Sequence, residues 1–222
     1  LTNRAIIKEG VKKRNKLWYE LQQINMKFNY SLPKIIYPDI SSKNKFVYDE
    51  SGIIPDMTCF FIPTEAIEYV PIFNSSVFWF LSAHFCPVLG NYKEGGRIRF
   101  KSTYIENIPL PKISLKTKDP LRMLSRMMHF NPKIKYVTDA ISLNLYFPDH
   151  MKDIGVDVID LVEQDINEVM KNREFEKLNV NEKEIVIEQL HVKWSHPDNE
   201  VRNRINLFAV RSPEILKPIL ES

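Results

Sequence analysis

The side chains able to do chemistry in this chain are scattered. Histidines stand at 84, 129, 150, 191 and 196; His191 and His196 flank Trp194 with no cysteine or carboxylate at zinc-finger spacing. No GxSxG, Walker A or GxGxxG pattern occurs, and Gly95-Gly96 reads as a turn ahead of a strand. Asn131-Pro132-Lys133-Ile134 starts like the Asn-Pro-Pro-aromatic motif that grips a flipped-out base, but Ile134 cannot stack as an aromatic ring does. That segment reads as a turn. Pro55-Asp56 lacks the following Glu-x-Lys of a metal-dependent nuclease. No reaction centre is visible.

Positive charge, by contrast, is patterned. The net charge of the 222 residues is only +3, yet residues 1–150 hold 21 Lys and Arg against 13 Asp and Glu, a balance of +8. Residues 151–222 hold 10 against 15, a balance of −5. The first region suits a polyanionic partner and the second would repel one. Phosphate surfaces need Lys and Arg that displace counterions, and base reading needs short polar or planar side chains on reaching loops. Ser41, Ser42, Lys43, Asn44 and Lys45 form one such loop; Arg97, Arg99, Lys101, Ser102 and Tyr104 form a second cationic edge. Lys12, Lys13, Arg14 and Lys16 add a basic cluster that suits a groove.

The elements that must position these residues follow from patterning. Lys34 to Tyr37 reads as a strand between Pro33 and Pro38. KFVYDESGIIPDMTCFFIP reads as two strands joined by the Asp49-Glu50-Ser51-Gly52 turn. Thr64 is the expected N-cap of a buried helical pair broken at Asn74-Ser75, with Phe78, Trp79, Phe80 and Phe85 as core. Arg97, Arg99 and Lys101 alternate with Ile98 and Phe100, placing cations on one face of a strand. Pro109 and Pro111 then close the first unit. From Asp119-Pro120, taken as cap and first-turn proline, the pattern is helical, with Met123, Met127 and Met128 as packing residues. Apolar residues from Ile154 to Val169 keep helical spacing up to Lys171 and Arg173. A further helix is expected from Asn181 with Glu184 in a capping box, then others over 199–210 and from Ser212-Pro213-Glu214. The fold class is α+β: a small mixed sheet with packed helices over 1–112, then a mainly helical region over 113–222.

Composition narrows the setting. The chain is 44% apolar and 27% charged, near the average for soluble globular proteins. Cys59 and Cys86 sit in apolar runs without CxxC spacing, as reduced buried thiols of a cytoplasmic protein do. No run of about 18 apolar residues and no signal peptide is present, so no membrane partner is expected. The start at Leu1 rather than Met is what a fragment of a longer chain would show.

In order, LWYEL, PKIIYPDIS, KFVYDESG, TCFFIP, IFNSSVFWFL and GGRIRFKSTYIENIPLP resemble the TaqI-like C-terminal specificity domain. This is the target-recognition module of adenine-specific DNA methyltransferases and fused type II restriction-modification enzymes. The resemblance covers about residues 15–112. Its landmarks fall on Trp18-Tyr19, Pro33-Lys34-Ile35, Phe73-Asn74-Ser75, with Phe in place of Leu, and Tyr104-Ile105-Glu106-Asn107-Ile108-Pro109. The tail from 113 also resembles one found in some fused enzymes. The resemblance implies that the chain recognises double-stranded DNA while a methyltransferase domain upstream in the same parent chain binds S-adenosylmethionine and methylates adenine N6. A nuclease domain also lies upstream in some fused enzymes. The fragment alone is then not catalytic and holds no cofactor or metal. Ser41, Ser42, Lys43, Lys45, Arg97, Arg99, Lys101 and Tyr104 are the candidate DNA-contacting residues, and the acidic helices over 153–188 are expected to face away from DNA or brace the catalytic domain. A different class of function, a protein interaction module docking a separate catalytic partner, would use the apolar helices instead.

Overall fold

The computed structural model describes residues 28–91 and 95–221; the basic cluster at 12–16 and Trp18-Tyr19 lie outside the described residues. Strand β1 (Lys34–Pro38) forms over the expected Lys34 to Tyr37 and runs on through Pro38, which stands opposite Cys59 instead of ending the pairing; its alternate residues Ile35 and Tyr37 are buried. It is the centre of an antiparallel sheet, flanked by β3 (Val47–Asp49) and β4 (Cys59–Pro63). The two strands expected to be joined by the 49–52 turn therefore do not pair with each other. Each pairs with β1, and the chain crosses between them over 50–58. The reason lies in Asp49. Its carboxylate takes the Lys34 ammonium at 2.6 Å and accepts hydrogen bonds from the N–H groups of Ser51 and Ile53 and the Ser51 hydroxyl. Those bonds fold the chain away from β3, with Gly52 at φ +87° where a side chain would be strained.

A second antiparallel sheet joins β2 (Ile40–Ser41), β6 (Arg97–Arg99) and β5 (Val88–Leu89), in the order β2-β6-β5. The α+β class read from sequence is thus observed, with its strands divided between two small antiparallel sheets. Between the sheets an aromatic core gathers Tyr37, Phe46, Phe73, Phe78 and Phe100. Phe46 stacks on Tyr37 and Phe73 and meets Phe78 and Phe100 edge-on, centroids 5.1–5.7 Å apart, the offset and T-shaped geometry that aromatic quadrupoles favour.

The helical pair is present, with one change of role. Thr64 does not cap a helix; its hydroxyl accepts the Ala66 N–H, and a 3₁₀ turn (Ile67–Tyr69) leads into α1 (Val70–Phe73). Ser75 then caps α2 (Ser76–Phe85) through the Phe78 N–H, as its position after Asn74 predicts. Helix α2 is apolar around most of its circumference because it is covered twice. Phe78 enters the aromatic core, while Val77 joins Leu143, Met151, Val156, Phe208 and Ile219 of the later helices. Phe85, expected in the core, is 42% exposed at the last turn.

The short α3 (Ser102–Ile105) follows β6, and the rest of the described chain is helical. Helix α4 (Leu115–Phe130) starts earlier than Asp119-Pro120 suggests. Ser114 is its N-cap, accepting the Thr117 N–H, and Pro120 lies inside the helix. After a 3₁₀ turn over 132–134 come α5 (Lys135–Tyr146) and α6 (Pro148–Asp153). The apolar pattern from Ile154 is broken at Gly155, φ +66°, so α7 is Ile159–Met170, and Arg173 caps its last carbonyls at Val169 and Met170. Helix α8 (Val180–Ser195) uses Asn179 and Glu182 as its capping box, two residues before Asn181 and Glu184. Helices α9 (Glu200–Arg211) and α10 (Pro213–Leu220) complete the chain. The aliphatic core of α4, α5, α7, α8 and α9, with Leu121, Leu124, Met127, Ile166, Val186 and Leu190, surrounds Trp194, whose indole N–H binds buried Asp165 at 2.9 Å. No helix among the described residues is long and apolar enough to cross a membrane.

Candidate nucleic-acid interface

The second sheet brings the two cationic segments together. Ile40 lies opposite Arg99 and Ser41 opposite Ile98, in antiparallel register. Ser42 to Lys45 therefore leaves the sheet at the Arg97 end of β6, and Lys101 leaves it at the other end. Arg97 is exposed and Arg99 half-exposed, while Ile98 and Phe100 are wholly buried, so the predicted alternation holds. It ends one cation early: β6 stops at Arg99, and Lys101 is the N-cap residue of α3.

Lys43, Lys45, Arg97 and Lys101 have no carboxylate within ion-pair distance among the described residues, whereas Arg99 has one. Its guanidinium reaches both oxygens of Asp39 at 3.4 and 3.5 Å, long contacts that offset part of its charge. Ser42 is exposed, and Tyr104 is 37% exposed on α3. Ser41 departs from the expected loop. Pairing with Ile98 turns it inward at 6% exposure, and its hydroxyl accepts the Lys43 N–H at 3.4 Å. Ser41 shapes the start of the loop instead of reaching out from it.

The loop is fixed by Asn74, a residue whose sequence position marks a helix break. The Asn74 side chain accepts the Phe46 N–H at 3.0 Å and donates to the Phe46 carbonyl at 2.8 Å, satisfying both main-chain groups as a neighbouring strand would. Asn44 adds a bond from its amide to the Ser75 carbonyl at 2.8 Å. Thus the α1–α2 junction holds the backbone on which Lys43 and Lys45 stand. The junction is held in turn from the helical region: Asp139 of α5 accepts the Ser76 N–H and hydroxyl at the start of α2. An Asn beside a Ser N-cap is the only local signal for this latch, and it reads equally as a capping residue.

The titratable groups here are structural. Burial by itself raises the Asp49 carboxyl, but hydrogen bonds from Lys34 and Ser51 outweigh it and hold the group at about 2. Burial pushes the Tyr37 phenol up to about 12 and the Cys86 thiol up to about 11, so neither ionises at neutral pH. Ser212 lies 2.6 Å from His150 Nε2, a nucleophile-and-base distance, yet Ser212 is wholly buried at the start of α10. No group of three His, Cys, Asp or Glu among the described residues could hold a metal. Residues 131–134 form a turn in which Asn131 accepts the Lys133 N–H, so they do not present a base-gripping side chain.

The type II methyltransferase M.BanIII of Aneurinibacillus aneurinilyticus is 29% identical over 130 residues, which is 54% of this chain and 21% of that protein. About half of this chain is therefore similar to part of a type II methyltransferase, and the match spans about a fifth of that relative's length. No described protein family's profile matches the chain, and no solved structure matches it.

Proposed function

We propose that residues 1–112 form a TaqI-like target-recognition domain that binds double-stranded DNA, and that 113–222 is a helical region supporting it. The observation that carries this reading is the β2-β6 pairing. It gathers Lys43, Lys45, Arg97 and Lys101, all without carboxylate partners, around one small sheet whose other side is a rigid aromatic core. Sites held on such rigid elements keep the geometry that base discrimination needs, where one good bidentate contact contributes about 1–3 kcal/mol. The similarity to M.BanIII supports placing this function in a restriction-modification enzyme of the cytoplasm.

In that setting adenine N6 methylation belongs to another domain of the parent chain. S-adenosylmethionine binding would belong to that same domain.

The test is selection of bound duplexes from a pool with a randomised centre, using the full chain. One sequence should be enriched, and Arg97→Gln should weaken binding or relax that preference. Recovery of an unbiased pool overturns the reading.

A second reading, a module that docks a separate protein partner, is favoured by one feature. The β3–β4 connection exposes Ile53, Ile54 and Met57, the last at 95%. Salt separates the two readings: contacts to phosphates weaken with a log-log slope of about −0.9 per phosphate, and apolar docking does not.

A further inference from the structure

A groove of about 1120 Å³ runs between the loop that carries Lys43 and Lys45 and the helical region. It is also lined by the end of α4, with Phe130, the 3₁₀ turn at 175–177, with Phe175, and the first turn of α8, with Lys183. None of these residues was a sequence-level candidate.

The charges on its walls are unequally spent. Glu50 and Glu176 are both taken by Arg126, at 2.8 and 3.4 Å, and Asp49 is taken by Lys34. Lys135 is shared with Asp139 at 2.7 Å. Lys43, Lys45 and Lys183 have no carboxylate partner among the described residues. Lys183 lies instead over the rings of Phe130 and Phe175, its ammonium 5.0 and 5.7 Å from their centroids, and Phe130 is 42% exposed. Two aromatic faces thus hold a cation in a groove that two other unpaired cations also line, an arrangement that complements a row of phosphates.

We infer that this groove carries the DNA backbone, with Lys183 of the helical region contacting a phosphate that the recognition loop also approaches. The inference rests on the DNA-binding reading and extends it: the edge of the acidic helices bearing Phe175 and Lys183 belongs to the interface, while the rest of 153–188 keeps its distance from DNA.

Binding of the full chain to a short duplex of the selected sequence, followed by fluorescence anisotropy between 50 and 200 mM salt, tests it. Lys183→Gln should reduce the log-log salt slope by about 0.9, so that over this range wild type loses about 3.5-fold more affinity than the variant. Lys183→Arg should restore the wild-type slope. An unchanged slope in Lys183→Gln beside a reduced one in Lys43→Gln overturns the groove assignment and leaves the recognition surface standing. An affinity loss equal at every salt concentration indicates a conformational effect or a protein occupant, and also overturns it. If neither substitution changes binding, both the inference and the DNA-binding reading fall.

Discussion

The first region and the helical region treat their charges in opposite ways. Within residues 28–112 only two ion pairs form among the described residues: buried Lys34–Asp49 and the long Arg99–Asp39 contact. In the helical region more than half of the Lys and Arg are ion-paired, as in Lys116–Asp160, Lys133–Glu188, Lys193 with Asp165 and Glu168, and Arg204 with Asp157 and Glu200. Net charge alone conceals this. The balance of −5 over 151–222 is carried largely by carboxylates already engaged with neighbours, while residues 28–112, with 8 Lys and Arg against 8 Asp and Glu, leave Lys43, Lys45, Arg97 and Lys101 without carboxylate partners among the described residues. Unspent charge marks an interface more sharply than total charge does.

The largest effect should come from the single buried pair of the first region. Asp49→Ala strands the Lys34 ammonium, which is wholly buried, and frees the 50–53 turn; removing one partner of a buried pair costs about 3–5 kcal/mol, measured by urea unfolding. The acid side of the same pair has a definite sign. The folded carboxyl titrates at about 2, below its ordinary 3.8, so its contribution is complete above about pH 4 and is lost as pH falls toward 2. Thermal unfolding of wild type should show that acid step, and Asp49→Asn should flatten it. Equal acid sensitivity in both would mean that the pair contributes nothing to stability.

A smaller effect is expected at the latch. Asn74→Ala leaves the Phe46 N–H and carbonyl without partners, which costs about 1–3 kcal/mol. DNA affinity should fall with it, although Asn74 has no role at the surface. Wild-type affinity in a folded Asn74→Ala protein would show that the loop needs no such support.

The smallest effect separates the regions directly. Lys101→Gln should lower the salt slope by about 0.9, and Lys177→Gln, which removes a cation already bound to Glu174 at 2.7 Å, should leave it unchanged. Similar changes in both would erase the distinction between spent and unspent cations.

Local patterns revealed those features that local physics decides. Pro33 bounds β1, Ser75 caps α2, and the alternation from Arg97 to Phe100 sorts charged from buried residues, each within a few positions. Pairing partners were not legible, because β3 and β4 choose β1 over each other through Asp49 and Lys34, fifteen residues apart in sequence. Cap positions were ambiguous where two signals overlap. Asn179-Val-Asn181-Glu182-Lys-Glu184 contains two boxes, and the earlier one gains further main-chain hydrogen bonds by lengthening α8. Pro120 misled for the opposite reason: packing of Leu121 and Leu124 carries α4 through a residue that lacks an N–H. The groove was invisible, since Lys45, Phe130, Phe175 and Lys183 meet only in the folded chain.

The latch has a consequence for how such a surface can change. Asn74 grips the main chain of Phe46, and Asn44 reaches main chain at Ser75, so the side chains at 42, 43 and 45 are exposed and carry none of the anchoring. Those three positions behave as an exchangeable cassette between fixed clips. Rewriting them alters what the loop meets without asking the fold to be solved again.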